Sequence, residues 1–267
     1  MVPRPRLAFL GPAGTYSHAA SLLCAADERL PRRSIRGVFD AVLSGEAEAG
    51  IVPGENVIEG AVHETLDLLL TTPLVICGEV MLPIEHCLLG HAGELIRRVY
   101  SHPQALAQCG PWLSAHLPDA ERVECSSTAE AAAVAAADRQ AAAIGAGARA
   151  GLEVLERGLG LSENRTRFFV VSRAPGRPTG HDRSLVAFLA PHRPGALHAC
   201  LGPFAAAGIN LCRLEHRPAR AEAWTYHFVI EVEGHPESPA IAKALAELRG
   251  IAHDVRTLGA WSVGAPA

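Results

Sequence analysis

The segment Leu7–Ser17, which reads LAFLGPAGTYS, predicts a buried strand that passes through a tight turn into a helix. Leu7–Leu10 is apolar, and Gly11–Gly14 ends the strand abruptly. Thr15 or Ser17 can cap the free backbone N–H groups of the helix that follows. Because strands and helices continue to alternate beyond this segment, we expect an α/β protein with parallel or mixed sheets covered by helices on both faces.

The remainder of the N-terminal part repeats this strand-to-helix pattern, so a binding crevice is expected at the carboxyl ends of its strands. The predicted strands are Ala49–Val52, Leu74–Val80, Glu85–Leu89, Val99–Ser101, Arg122–Cys125, Ala141–Ile144 and Phe168–Val171. The predicted helices are Val62–Leu70, one from Pro103 through Trp112, and one capped by Ser126, Ser127 or Thr128 that runs to Ala137.

The C-terminal part has a different order of elements, βαββαβ, which is the ferredoxin-like pattern. A stretch rich in proline, glycine and charge, Arg173–Asp182, separates it from the rest. We therefore predict domains at residues 1–176 and 184–267, with a linker at 177–183. The C-terminal elements are Ser184–Ala190, Gly195–Ala207, Ile209–Arg217, Trp224–Val232, Pro239–Leu248 and Ile251–Thr257.

Composition narrows the functional class. A chain of 267 residues suits two compact units, and a net charge of −4 argues against a nucleic-acid partner. No apolar run approaches the ~20 residues that cross a bilayer, so no membrane partner is expected. The first residues do not resemble a signal peptide, and the seven cysteines are scattered. Reduced thiols in a cytoplasm are the expected state.

Three strand-to-helix junctions carry small polar groups, and each is a potential anion-binding site because helix N-termini expose N–H donors. They are Gly11–Ser17, Ser101–Pro103 and Ser126–Thr128. Glu55 and Asn56 follow another strand, and Asn164–Phe169 places hydroxyl, guanidinium and aromatic groups beside the last one. Ordinary capping explains any single junction, but three together favour a cleft that binds carboxylates.

Motifs for cofactors and metals are weak or missing in the sequence. Gly145–Ala150 fits GxGxxA, but Gly158 and Gly160 interrupt the segment that a dinucleotide site would need. The sequence contains no GxxxxGK, HExxH or GxSxG motif and no zinc-like His/Cys spacing. We therefore expect chemistry without a cofactor or a metal ion.

An ordered set of short motifs resembles the prephenate dehydratase family, and two motifs in the C-terminal part resemble the phenylalanine signatures of that family's ACT domain. The first set is Gly11–Ser17 (GPAGTYS), Val52–Val62 (VPGENVIEGAV), Gly78–Leu89 (GEVMLPIEHCLL), Ser101–Leu106 (SHPQAL) and Asn164–Phe168 (NRTRF). The second is Gly195–Leu197 (GAL) and Glu215–Pro218 (EHRP).

The resemblance implies a catalytic part of two lobes, like a periplasmic binding protein, with the active site between them. One lobe would comprise about residues 1–80 plus 161–176, and the other 81–160. It also implies a homodimer or homotetramer in which phenylalanine binds between ACT domains and inhibits. No mutase-like helical domain is attached, so a monofunctional enzyme is expected.

The resemblance also implies residue roles. Thr166 would donate a hydrogen bond or a proton to the departing hydroxyl of prephenate, Arg167 would bind carboxylate, and Phe168 would pack against the ring; Glu55 and Asn56 complete the catalytic set. The substrate-binding residues would be Gly11, Pro12, Thr15, Ser17, Ser101, His102, Ser127 and Thr128. The phenylalanine-binding residues would be Gly195, Ala196, Leu197, Asn210, Leu211, Glu215, His216, Arg217 and Pro218.

Four positions depart from the family pattern. Gly54 replaces a bulky aliphatic residue and Val57 a serine, beside the cleft; His216 and Cys212 replace a serine and a threonine near the expected phenylalanine site. Three alternatives stay open on the sequence: an arogenate dehydratase, a prephenate decarboxylase that keeps the hydroxyl, and a non-catalytic sensor of small molecules.

Overall fold

The computed structural model describes residues 5–147, 151–160, 163–219 and 225–264. The first lobe is a helix-flanked sheet with strand order β2-β1-β3-β11-β5, in which β1 runs parallel to β2 and β3 and β11 runs antiparallel to β3 and β5. Its elements are β1 (Arg6–Leu10), α1 (Tyr16–Ser21), β2 (Glu28–Arg32), α2 (Ile35–Ser44), β3 (Ala49–Asn56), β4 (Gly60–Ala61), α3 (His63–Thr71), β5 (Val75–Pro83) and the returning strand β11 (Arg165–Ser172).

The second lobe is a separate sheet with strand order β10-β6-β9-β7-β8. Its elements are β6 (Cys87–Gly90), β7 (Arg98–Ser101), α4 (Pro103–Gln108), α5 (Gly110–His116), β8 (Glu121–Glu124), α6 (Thr128–Ala136), β9 (Ala141–Gly145) and β10 (Glu153–Glu156). The chain enters this lobe after β5 and leaves it before β11. The two lobes of the predicted catalytic fold are thereby confirmed.

The C-terminal domain confirms the βαββαβ prediction. It contains β12 (Asp182–Leu189), α7 (Ala196–Ala206), β13 (Leu211–Pro218), β14 (Tyr226–Glu233), α8 (Pro239–Arg249) and β15 (His253–Ser262). The strand order β13-β14-β12-β15 is antiparallel throughout. Phe188, Phe204 and Leu248 are fully buried between this sheet and its two helices, so the domain has a core of its own.

The sheets of the first lobe and the C-terminal domain join into one, which the sequence did not predict. β15 runs to Ser262, past the predicted end at Thr257, and pairs parallel with β5 through Gly259 and Ile76. A Cβ atom at Gly259 would lie 2.4 Å from Ile76 N, and its φ of 154° disfavours other residues. Glycine is therefore required where the two domains meet.

Other elements differ from the prediction. The single helix expected from Pro103 through Trp112 is two helices, because Gly110 and Pro111 follow Cys109 and proline lacks the N–H that would continue the first one. Strand β2, helix α2 and strand β10 had no counterpart in the prediction. Trp224, the predicted start of a strand, lies outside the described residues.

No helix within the described ranges has the length and apolarity needed to cross a membrane. The seven cysteines all lie in described segments and are free thiols. Burial raises the pKa of the Cys24 thiol to about 11 and that of Cys109 to about 12, so both behave as packed apolar side chains.

Candidate active site

A cleft of about 1030 Å³ lies between the two lobes. It is lined by the carboxyl ends of strands and by the starts of helices, as expected for this class of fold. Most residues predicted for the site contribute to its wall. These are Gly11, Pro12, Thr15, Ser17, Asn56, His102, Ser127, Thr128, Thr166 and Phe168.

Two of these residues form a hydrogen-bonded pair. β3 and β11 are paired so that Asn56 lies opposite Thr166, and Asn56 Nδ2 donates to Thr166 Oγ1 at 2.9 Å and to Asn164 Oδ1 at 2.7 Å. Asn56 Oδ1 accepts from the backbone N–H groups of Ile58 and Glu59 at 3.0 and 3.2 Å, which fixes the orientation of the amide. The Thr166 oxygen is therefore an acceptor for Asn56, and its own proton can be donated into the cleft.

The pair continues into a network that crosses between the lobes. Asn164 Nδ2 donates to Gln108 Oε1 at 2.9 Å, and Gln108 Nε2 donates to Glu59 Oε1 at 2.5 Å. His86 Nε2 lies 2.8 Å from Gln108 Oε1, which can only accept, so Nε2 carries a proton. His86 Nδ1 lies 3.3 Å from the hydroxyl of Tyr16. All five side chains line the cleft.

Burial lowers the pKa of His86, against smaller opposing effects of the Gln108 hydrogen bond and the Glu59 charge. The imidazole is therefore neutral near pH 7. The sequence motifs did not predict site roles for Gln108, His86 or Glu59. The signal for Gln108 was its position four residues after Gln104 of SHPQAL, which places both glutamines on one face of α4.

The cleft holds little free positive charge. Of the two arginines that line it within the described chain, Arg32 forms an ion pair with Glu46, whereas Arg33 makes no hydrogen bond or ion pair to a described residue. At the start of α6, Ser127 Oγ accepts from Glu130 N at 3.1 Å, and the Glu130 carboxylate accepts from Ser126 N at 2.8 Å. Arg33 was not predicted as a site residue, because nothing in its local sequence pattern marks it.

Ser101 does not line the cleft, which corrects the prediction. Its side chain is fully buried, and its hydroxyl donates to Ile144 O at 2.8 Å, joining β7 to β9. The strand ends one residue before the helix-capping position, so the residue that reaches the cleft is the half-buried His102, whose Nδ1 accepts from Gln104 N. Ser101 therefore supports the second sheet.

Arg167 and Glu55 also lie outside the wall of the cleft. Successive side chains of a strand point to opposite faces, so the residues beside Thr166 and Asn56 face the C-terminal domain. Arg167 donates to both oxygens of Glu231 at 2.8 Å and to Glu55 Oε2 at 2.5 Å. Burial alone would lower the pKa of Arg167, but Glu231, Glu55 and Glu79 together raise it. Its donors are engaged by the protein, so it is not placed to bind a carboxylate in the cleft.

The residues predicted to bind phenylalanine lie in two places. Gly195 caps the start of α7, where Ala196 is buried and Leu197 packs on the domain core. The second set follows edge strand β13, on which alternate residues face opposite ways. Asn210 donates a hydrogen bond to Glu233, and Leu211 begins the strand. Arg217 forms a bidentate ion pair with Asp67. Glu215 is half-buried, whereas His216 and Pro218 are exposed. Among described residues, no hydrogen bond or ion pair joins the two sets.

Metal ligands do not cluster in the part of the chain that the structure describes. No group of three or more His, Cys, Asp or Glu side chains there could hold an ion.

Comparison with known proteins adds independent findings. A family model for prephenate dehydratase matches residues 7–176, and one for the ACT domain matches residues 184–250. The prephenate dehydratase of Amycolatopsis methanolica is 41% identical over 269 residues, covering 96% of this chain and 88% of that protein. The crystal structure of prephenate dehydratase from Arthrobacter aurescens in complex with L-Phe is 38% identical, with a TM-score of 0.89 over 98% of this chain and 92% of that one.

A further solved structure is described as GqqA, a novel type of quorum quenching acylases. It is 32% identical, with a TM-score of 0.86 over 96% of this chain and 97% of that one. The same fold is thus associated with more than one described activity. The two family models cover the lobes and the C-terminal domain in turn, and the chain belongs to the prephenate dehydratase family.

Proposed function

We propose that the cleft converts prephenate to phenylpyruvate. The observation that carries the proposal is the hydrogen bond from Asn56 Nδ2 to Thr166 Oγ1, which leaves the threonine proton available to a leaving group in the cleft. A neutral donor of this kind suits a reaction whose difficulty is the departure of hydroxide.

The reaction needs no electron sink outside the substrate. The bond between the ring and its carboxylate breaks, its electron pair enters the ring, and the C–O bond to the ring hydroxyl breaks. The products are phenylpyruvate, carbon dioxide and water, and one proton is consumed in forming the water. Thr166 stabilises the negative charge that develops on the departing oxygen, and Asn56 in turn stabilises charge that develops on Oγ1.

The network behind Thr166 orients the hydroxyl and does not conduct protons. The groups between Thr166 and His86 are the amides of Asn56, Asn164 and Gln108, and amides do not release protons at neutral pH. The consumed proton therefore comes from solvent in the cleft.

In this proposal, Arg33 and the start of α6 bind the carboxylates of the substrate. Arg33 is the unpaired guanidinium among described cleft residues. The amides of Thr128 and Ala129 have no backbone acceptor in the described chain, and they lie at the positive end of a nine-residue helix. Together they can hold two anionic groups of a dianionic substrate.

The test is phenylpyruvate formation by the purified chain, with Thr166→Val and Thr166→Ser as variants. Valine keeps the shape and removes the donor, so turnover should fall by about 10²–10³ while substrate affinity stays within a few-fold. Serine keeps the donor and should retain most of the turnover. Wild-type turnover that Thr166→Val leaves intact would remove the basis of the proposal.

Phenylalanine is proposed as an inhibitor that binds between ACT domains, at the start of α7 and along β13. The support is the ACT domain model and the relative crystallised with L-Phe. β13 is an edge strand of the large sheet, and an exposed strand edge is a ready surface for a second copy of the chain. We therefore propose a homodimer or homotetramer in the cytoplasm, to be tested by light scattering with and without phenylalanine.

One series of assays distinguishes the competing functions. Arogenate differs from prephenate by an amino group, so comparing kcat/KM for the two substrates identifies the preferred one. Carbon dioxide release without phenylpyruvate would indicate a decarboxylase. Ligand binding without turnover of either substrate would indicate a sensor, and N-acyl substrates test the activity that the GqqA description suggests.

A further inference from the structure

A cluster of six charged residues lies between the first lobe and the C-terminal domain; we call it the junction cluster. It consists of Glu55, Glu79, Arg167, Arg183, Arg213 and Glu231. Its centre is Glu231 on β14, whose two oxygens accept from Arg167 at 2.8 Å and one of which also accepts from Arg183 at 3.0 Å. The Glu231 side chain is 1% exposed and that of Arg167 is 7% exposed.

A second set of ion pairs also joins the two domains. Arg213 on β13 donates through Nη1 to Glu55 Oε2 at 3.0 Å, and the same oxygen accepts from Arg167 Nη2. Arg213 is 9% exposed. Two neighbouring strands of the C-terminal domain thus hold two neighbouring strands of the first lobe.

These contacts are one residue away from the proposed catalytic pair. The register of β3 with β11 places Thr166 opposite Asn56 and Arg167 opposite Glu55. Since side chains alternate along a strand, the pair faces the cleft and its neighbours face the junction cluster. The separation of β3 and β11 at this point therefore sets both the ion pairs and the 2.9 Å hydrogen bond to Thr166.

Burial makes the cluster geometrically demanding. The side chains of Arg167, Glu231 and Arg213 are buried, and separating a buried charge from its partner is costly, so these ion pairs resist being pulled apart. The bidentate geometry of Arg167 on Glu231 also restricts orientation as well as distance. A displacement of β13 or β14 would therefore be transmitted to the strand positions that carry Asn56 and Thr166.

We infer that Glu231 and Arg213, both from the C-terminal domain, are positioning residues for the reaction, because they hold Arg167 and Glu55 and thereby the register of Thr166 with Asn56. The inference rests on the proposed function of that pair. It gives the C-terminal domain a part in basal turnover, separate from any response to phenylalanine.

The first test compares Glu231→Gln with Asp67→Asn in the full-length protein. Asp67 also makes a bidentate ion pair across the junction, to Arg217 at 2.7 and 2.9 Å, but it lies on α3 and away from the pair. We expect Glu231→Gln to lower kcat about tenfold with KM within twofold, and Asp67→Asn to leave kcat within twofold. Equal losses in the two variants would mean that any broken domain contact suffices and would overturn the inference.

The second test repeats Glu231→Gln in a Thr166→Val background. If the glutamate acts by positioning the threonine donor, the second change should cost little once the donor is gone, so the double variant should match Thr166→Val within twofold. A further tenfold loss would show that Glu231 acts independently of Thr166 and would contradict the inference.

If Glu231→Gln does not fold, variants of Arg213 test the same inference. Arg213→Lys should retain most of kcat because a cation still faces Glu55, whereas Arg213→Met should lose it with little change in KM. The two levels of failure are distinct. An inactive wild type or an unaffected Thr166→Val would end the proposed function, whereas a sensitive Thr166 with insensitive Glu231 and Arg213 would end only this inference.

Discussion

Asn56 donates a 2.9 Å hydrogen bond to the hydroxyl oxygen of Thr166, although the two residues lie 110 positions apart in the chain. Pairing of β3 with β11 creates the contact, and the backbone around Glu59 fixes the direction of the amide. The pair is therefore built before substrate arrives, which is the property that makes a donor effective in catalysis.

The first prediction concerns the interdependence of this pair. Asn56→Ala and Thr166→Val should each lower kcat by about 10²–10³, because each removes the oriented donor. The double variant should be close to the worse single variant, since residues that act as a unit are not additive. Steady-state kinetics on all three proteins checks this, and fully multiplicative losses would show that the residues act separately.

The second prediction concerns charge in the cleft. Arg33→Gln should raise KM for prephenate about tenfold and leave kcat within twofold, because the guanidinium has no partner in the described chain and binds the substrate before and during reaction. In the Arg33→Gln variant, KM should also increase less steeply with added salt than it does in the wild type. Arg36→Gln is the control: this arginine is exposed on α2, outside the cleft wall, and its removal should change neither constant.

The third prediction concerns pH. Burial lowers the pKa of His86, so in the folded protein it binds fewer protons than in the unfolded chain below pH 6.5. Stability attributable to His86 is therefore complete above pH 6.5 and declines as pH falls towards the folded-state pKa. Tyr16, Glu59 and Gln108 surround the ring. Denaturant unfolding of wild type and His86→Gln should show a difference that changes between pH 7 and pH 5; a constant difference would contradict the assignment.

The fourth prediction concerns the junction of the sheets. Gly259→Ala should lower the free energy of unfolding by more than about 2 kcal/mol, because the new Cβ would meet the backbone of Ile76. Gly202→Ala is the control, since nothing lies within 4 Å of its Cβ position inside α7; it should be neutral or stabilise by up to about 1 kcal/mol. Trp261, fully buried at the junction, gives a fluorescence signal for urea unfolding.

Local sequence patterns predicted much of the fold and part of the candidate site, and the reasons are physical. The βαββαβ order follows from turns and apolar runs within 84 residues, and the cleft-facing positions of Thr166 and Asn56 follow from short motifs. The roles of Arg167 and Glu55 did not follow. Each depends on which face of its strand meets Glu231 or Arg213, and those partners lie 64 and 158 residues away.

Two further features could not be predicted from the local sequence for the same reason. Ser101 sits in a motif of the cleft, yet the end of β7 turns it towards Ile144, and only the strand register reveals this. Gly54 replaces a bulky residue, and the ring of Phe169 occupies the space, 2.4 Å from where a Cβ would lie. The substitution is thus matched by packing behind the cleft, which cannot be read from position 54 alone.

The chain crosses between the lobes twice, and the two crossings are bonded to each other. Ile84 N donates to Asn164 O at 2.9 Å, and Leu159 N donates to His86 O at 3.0 Å. If the lobes close on substrate by rotation, this double connection is the hinge, and atoms near a hinge axis move least. Asn164 and His86 belong to the network that holds Thr166, whereas Arg33 and Ser127 lie on opposing lobes. Closure would then bring the anion-binding groups together around the substrate while the hydroxyl donor keeps its place.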